Sequence, residues 1–124
     1  MTVLIDSDVL IEILRGRDAE LFDRWLELSD SEAIAMVSPV SFAEIWAGAR
    51  PQEHAAIGAL FRSLTCASID EAIGRRAGDL LREYAGSHSV KLADAMIAAS
   101  AMHYRAALWT RNRKHFPMPE IEFH

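Results

Sequence analysis

Short apolar runs alternate along the chain with longer stretches in which apolar residues recur every three or four positions. A short run of β-branched and other apolar residues predicts a buried strand, whereas the longer spacing predicts a helix with one face in a core. Strands are predicted at 3–5, 33–37, 65–69 and 107–110, with an edge strand at 121–123. Helices are predicted between them, at 9–14, 19–28, 39–48, 51–64, 71–84 and 92–104.

Several predicted helices have residues suited to their ends. Ser7 or Asp8 can cap the first helix, and Gly16 can end it. Ser38 followed by Pro39 is typical of a helix start. Because strands and helices alternate throughout, we predict an α/β fold with a mainly parallel central sheet flanked by helices, as a single domain over residues 1–124.

Composition agrees with one globular domain of 124 residues, of which 51% are hydrophobic and 25% charged. The lone Cys66 excludes a disulfide within the chain, favours a reducing compartment and is expected to be a small buried side chain. The N-terminus lacks a basic leader, and no apolar run reaches the length of a membrane span. We therefore expect a cytoplasmic protein that does not enter the membrane.

The net charge of −5 counts against a nucleic-acid partner, unless part of the acid count belongs to a metal site. Eleven of the thirteen basic residues are arginine, which binds phosphate in a bidentate manner. Arg111, Arg113 and Lys114 cluster near the C-terminus and are candidates for phosphate contacts. The alternative for each of them is an ordinary solvated surface position.

The candidate chemistry lies just beyond the predicted strands, where ligands bind to open parallel sheets. Asp6 directly follows the first strand, and a carboxylate there is costly unless it is paired, caps the next helix or binds a metal. Glu44 lies in the helix after the second strand, facing either solvent or a site. Asp94 is the sharpest signal, because it is the one acid in the apolar, alanine-rich segment 92–101; its alternative role is a helix cap.

These candidate ligands are all oxygen donors, which selects Mg²⁺ or Mn²⁺ over Zn²⁺. The five histidines show no paired zinc-ligand spacing, and a single cysteine forms no thiolate cluster. A hard cation held by carboxylates suits the hydrolysis of phosphodiesters.

Four segments, in order, resemble the motifs of PIN domains. They are residues 3–11 with Asp6, 38–48 with Glu44, 92–101 with Asp94, and 110–116. Together they span nearly the whole chain, whose length and plain architecture look most like VapC-type toxins of bacterial toxin–antitoxin pairs. The fourth segment departs from many family members, because it has no acid and offers Asn112 and His115 instead.

The resemblance implies a Mg²⁺-dependent endoribonuclease, with Mn²⁺ as a substitute ion. Asp6, Glu44 and Asp94 carry over as metal ligands and catalytic residues, and Asn112 as a catalytic residue that could bind a metal-bound water. The missing acid leaves open whether one or two ions bind. The family also implies a homodimer and a cognate antitoxin protein. Substrate contacts are expected from Ser7, Thr110, Arg111, Arg113 and Lys114.

Two other functions fit parts of the sequence. Asp6 and Asp8 after an apolar strand resemble the nucleophile and general acid of haloacid-dehalogenase-type phosphatases, although Leu10 stands where that signature has Thr or Val. The altered fourth motif also permits a catalytically silent PIN interaction module. The sequence does not identify the RNA target or the antitoxin.

Overall fold

Four parallel strands form the centre of the computed structural model, which describes all 124 residues. Their order across the sheet is β3-β2-β1-β4, and every neighbouring pair is parallel. The predicted parallel α/β fold is therefore confirmed. The strands are β1 (Thr2–Ile5), β2 (Ile34–Val37), β3 (Thr65–Cys66) and β4 (Ala107–Trp109).

Six α-helices flank the sheet, and short 3-10 helices occupy Pro51–Glu53 and Arg113–His115. Ser38 accepts a hydrogen bond from the Val40 backbone amide and caps its helix, as predicted. The helices are α1 (Ser7–Arg15), α2 (Ala19–Asp30), α3 (Pro39–Ala47), α4 (His54–Arg62), α5 (Glu71–His88) and α6 (Leu92–His103). None of them is both long and apolar enough to cross a membrane.

Two apolar cores lie on opposite faces of the sheet, because successive side chains of a strand point to opposite faces. Val3 and Ile5 of β1 pack with helices α1 to α4, whereas Leu4 packs with α5 and α6. The strands are therefore buried on both sides, as the continuous apolar runs predict. Ala95 and Ala98 are fully buried on α6, so this helix approaches its neighbours closely.

Several predicted boundaries differ from the structure. Helix α2 continues to Asp30, past its predicted end at 28, and α5 continues to His88, past its predicted end at 84, with Ser89 as its C-cap at a φ of 56°. The expected edge strand is only a bridge between Leu108 and Phe123. Cys66 is exposed rather than buried, because β3 is a two-residue edge strand and the next residue, Ala67, takes the buried position.

Candidate active site

A cleft of about 480 Å³ opens at the carboxyl ends of the strands. It contains all three acids predicted from the sequence, so a parallel sheet does bring residues 6, 44 and 94 to one edge. The start of α1, the end of α5, the residue before α6 and the loop after β4 supply its remaining polar groups. The polar lining consists of Asp6, Ser7, Asp8, Glu44, His88, Ser89, Lys91, Asp94, Asn112 and His115.

Asp6 is held from both sides at the junction of β1 and α1. Its backbone amide donates to the Trp109 carbonyl at 2.9 Å, which continues the pairing of β1 with β4. Its Oδ1 accepts from the Ser7 amide at 2.8 Å, and its Oδ2 accepts from the Thr110 hydroxyl at 2.8 Å. Asp6 is therefore the N-cap of α1, a role expected of Ser7 or Asp8, and also a wall of the cleft.

The pKa of Asp6 is raised from 3.8 to about 6, mainly by burial and next by the negative charge of Asp8. The hydrogen bonds from Thr110 and Ser7 act in the opposite direction, because they stabilise the carboxylate. Glu44 adds a smaller repulsion. Such a perturbed carboxyl in a cleft is typical of a functional site.

Asp8 is a further acid of the cleft, in addition to the three predicted metal ligands. Its Oδ2 accepts from the Arg111 backbone amide at 3.1 Å and from Asn112 Nδ2 at 3.0 Å. Its Oδ1 is buried and has no hydrogen-bond partner. Burial raises its pKa as well. The sequence signal was its position, two residues after Asp6 and in the first turn of the same helix.

Glu44 is exposed to the cleft, but one carboxylate oxygen is fixed. The Ser7 hydroxyl donates to its Oε1 at 2.7 Å and lies 2.8 Å from the Ser41 hydroxyl. Ser41 is fully buried one turn before Glu44 on α3, and its pairing with Ser7 joins α3 to α1. Ser7 thus orients an acid, in addition to any contact with a substrate.

Asp94 is the third residue of α6. Its Oδ2 accepts from the Lys91 backbone amide at 3.2 Å, which is the reciprocal contact of a capping box. Its Oδ1 lies 3.8 Å from His115 Nδ1. The cap and the cleft position therefore coexist, because one oxygen serves the helix and the other faces the loop after β4.

The basic residues predicted to contact phosphate lie outside the cleft lining. The Arg111 side chain approaches Glu12, and the Arg113 guanidinium lies 4.8 Å from the centre of the Phe123 ring. A contact of these side chains, or of Lys114, with a substrate stays a prediction. The lysine that does line the cleft is Lys91, whose position directly before α6 was the only sequence signal for it.

The cleft fits a hard divalent cation by its chemistry. Its acids are all oxygen donors, and the partnerless buried Asp8 Oδ1 is a polar atom that a cation would satisfy. As they stand, no three acid, histidine or cysteine side chains are close enough together to share one ion. Binding of one cation by three of these side chains therefore requires the carboxylates to move closer to one another.

Thr110 joins the two sides of the site, since its hydroxyl donates to Asp6 and accepts from the Asn112 backbone amide at 3.1 Å. Thr110→Val keeps the shape but leaves both partners without a hydrogen bond. We expect it to lower the free energy of unfolding by about 1–3 kcal/mol. Urea denaturation measures this, and Thr110→Ser, which keeps the hydroxyl, is the control. Equal stability of the two variants would contradict the role assigned to the hydroxyl.

Comparison with known proteins places the chain in a family. The PIN domain family model matches residues 3–120, nearly the whole chain. The chain therefore belongs to the PIN domain family, as the four ordered motifs indicated. This membership removes the grounds for the haloacid-dehalogenase alternative, which rested on the residues at the end of the first strand alone.

Similar proteins indicate which kind of PIN domain protein this chain resembles. The chain is 40% identical to Ribonuclease VapC10 of Mycobacterium tuberculosis over 119 residues, 95% of this chain and 88% of that protein. It is 36% identical to Ribonuclease VapC19 of the same organism, over 96% of both chains. A DNA-bound VapBC complex from Salmonella typhimurium shares the fold, with a TM-score of 0.84, 18% identity and coverage of 100% and 97%. A toxin–antitoxin complex from Klebsiella pneumoniae has a TM-score of 0.78 and 26% identity, with 96% of this chain and 94% of that chain covered. The resemblance to VapC-type proteins is thus confirmed.

Proposed function

We propose that this protein is a Mg²⁺-dependent endoribonuclease that acts in the cytoplasm as the toxin of a toxin–antitoxin pair. The observation that carries the proposal is the single cleft lined by Asp6, Glu44 and Asp94, which come from three separate elements. Relatives named as ribonucleases, at up to 40% identity, support the same reaction class.

Asp6, Glu44 and Asp94 would hold the cation, and the partnerless Oδ1 makes Asp8 a fourth candidate ligand. When bound, a divalent cation lowers the pKa of water and neutralises charge on the phosphate. The protein orients the carboxylates. Ser7 fixes one oxygen of Glu44, and Asn112 fixes Asp8 from the loop after β4.

Lys91 is our candidate for a contact with the RNA. It lines the cleft beside Asp94 and contributes a positive charge to a site otherwise dominated by acids. A phosphate entering such a site meets repulsion unless a cation compensates it. We assign Lys91 to the binding of a phosphate oxygen, and Asn112 to the positioning of Asp8.

The partners follow from the same family. Structural neighbours include VapBC complexes, so we propose a cognate antitoxin protein that blocks the cleft. We also propose a homodimer. Mass spectrometry of the proteins that co-purify with the chain tests for the antitoxin, and light scattering of the purified chain tests for the homodimer.

Cleavage of RNA should require the cation. We expect a mixed RNA pool to be cut in Mg²⁺ or Mn²⁺ and to remain intact in excess chelator, because the ligand set is entirely oxygen. Sequencing of the new RNA ends measures cleavage and identifies the cut site. Restoring Mg²⁺ after chelation is the control for irreversible damage. Full cleavage in chelator would exclude the mechanism.

The second candidate is a silent PIN module, favoured by the absence of an acid between Thr110 and Phe116. It predicts neither cleavage nor binding of divalent ions. Calorimetric titration with Mn²⁺ separates the two, since the nuclease should release or absorb heat that Asp6→Asn diminishes. Absence of a signal from the parent protein would favour the silent module.

A further inference from the structure

Three arginine side chains converge on one carboxylate outside the cleft. Arg15 Nη1, Arg17 Nη2 and Arg111 Nη1 each lie 3.4 Å from Glu12 Oε1. The Glu12 side chain is only 12% exposed, whereas those of the arginines are 55%, 68% and 49% exposed. These four residues alone carry a net charge of +2, and the cations are the groups that face solvent. We call these four residues the arginine cluster. Glu53 lines a groove with Arg15, and Asp18 and Glu20 line a pocket with Arg111.

The cluster is assembled from two distant parts of the chain. Glu12 and Arg15 lie on the last turns of α1, and Gly16 then adopts a φ of 65°, a conformation that favours glycine. The chain reverses there, so Arg17 returns towards Glu12. Arg111 comes from the loop after β4, where its backbone amide is held by Asp8.

Fold stability does not explain three arginines on one acid. A carboxylate can accept several hydrogen bonds, but exposed ion pairs contribute only about 0–1 kcal/mol each. The second and third guanidinium groups repel the first, so their concentration in a chain with a net charge of −5 indicates an anionic ligand.

The cluster borders the candidate active site. Asp8 and Glu12 lie one turn apart on α1, a separation of about 6 Å along the axis. Arg15 also lines a groove of about 330 Å³ together with Ile11 and Glu44, and these last two residues line the acidic cleft as well. The groove and the cleft are therefore adjacent, with these two residues between them.

We infer that Arg15, Arg17 and Arg111 bind the phosphates of the RNA strand next to the scissile phosphodiester, with Glu12 as the residue that positions them. The inference rests on the proposed ribonuclease function. An acidic cleft repels a polyanion, and a flanking group of guanidinium donors compensates by bidentate contacts with phosphate oxygens. The chain thereby binds RNA despite its negative net charge.

The test compares two double variants with the same change in net charge. Arg15→Gln with Arg17→Gln removes cations of the cluster. Arg75→Gln with Arg82→Gln removes exposed cations of α5 that pair with acids on their own helix. Fluorescence anisotropy with a labelled single-stranded RNA, in chelator and across a range of salt, gives Kd and its salt dependence.

We expect the cluster variant to raise Kd roughly tenfold at low salt and to flatten the slope of log Kd against log salt by about 1.4, since each lost phosphate contact removes about 0.7. The control variant should stay within about twofold of the parent. In Mg²⁺, the cluster variant should raise KM with little change in kcat. Equal salt slopes for the cluster variant and the control would overturn the inference. The same result is expected if the cluster binds an acidic protein instead of RNA.

Glu12→Gln should change RNA affinity in the opposite direction from the arginine variant. Gln keeps a side-chain oxygen that can still accept from the arginines but removes the negative charge, so RNA should bind more tightly and with a steeper salt slope, while the melting temperature falls. A purely structural cluster would lose stability in this variant without any gain in RNA binding, which would also overturn the inference. If the parent cuts no RNA in Mg²⁺ or Mn²⁺ but the cluster variant still weakens binding, the proposed ribonuclease function fails and the phosphate-binding surface stands.

Discussion

Asp94→Asn is expected to reduce RNA cleavage at least about a hundredfold while leaving the fold intact. The substitution removes the negative charge that would hold a cation. It keeps the carbonyl oxygen that can accept from the Lys91 backbone amide, so the start of α6 retains its hydrogen bond. Initial rates of cleavage at saturating Mg²⁺, with circular dichroism as a check on folding, measure the effect.

Asp79→Asn is the matched control for this prediction. Asp79 is an exposed acid of α5 that pairs with Arg82 and lies outside the cleft lining. Its replacement changes the net charge by the same amount and should leave the cleavage rate within about twofold, as is usual for an exposed ion pair. An Asp94→Asn variant that cuts RNA as fast as this control would show that Asp94 serves only as a cap of α6.

Asp6→Asn is expected to melt at a higher temperature than the parent in chelator at neutral pH, although it should be inactive. The folded-state pKa of Asp6, raised to about 6, means that the folded protein holds a proton more tightly than the unfolded chain. The contribution of Asp6 to the free energy of unfolding is therefore lost as pH rises from about 4 through 6. At neutral pH the ionised carboxyl costs about 3 kcal/mol, and the neutral amide avoids this cost.

The hydrogen bonds of Asp6 need not be lost in this variant. The amide oxygen can accept from the Ser7 backbone amide, and the amide nitrogen can donate to the Thr110 hydroxyl, which reverses the direction of that bond. The gain should shrink as pH falls through 6 and disappear well below 3.8, where the parent carboxyl is protonated in both states. Urea denaturation at several pH values in chelator measures the difference.

Mg²⁺ should reverse the order of stability, because a ligand stabilises the folded protein that binds it. The parent should gain more in melting temperature than Asp6→Asn. A parent that melts higher than the variant in chelator, with no response to Mg²⁺, would mean that Asp6 is an ordinary stabilising cap without a metal cluster. The structure also assigns the main cost to burial of Asp6, with repulsion from Asp8 second, rather than to mutual repulsion of the three predicted ligands.

The sequence by itself determined the fold class and the edge of the sheet at which the site lies. Apolar runs and helical spacing are local patterns, so β1, β2, β4 and all six helices were recognisable one at a time. Parallel strands then place their following residues at one edge, which is why Asp6, Glu44 and Asp94 line the same cleft. Locally weak segments were predicted less well. The helix α5 continues through Gly86 despite the poor helix propensity of glycine, and the rings of Tyr84 and His88 lie 5.7 Å apart on its last turns.

Only the tertiary structure decided which atoms meet in the cleft. Asp8 meets Asn112 from 104 residues away, and Ser7 meets Glu44 from 37 residues away. No local sequence pattern indicates that Arg111 approaches Glu12, because the two residues are far apart along the chain. Arg111 itself was recognised as a candidate phosphate contact. Side-chain pairing depends on how packed elements align, to within a fraction of an ångström for a hydrogen bond. The spacing of residues along a chain carries no such distance, so the partners of each acid and the arginine cluster became visible only in three dimensions.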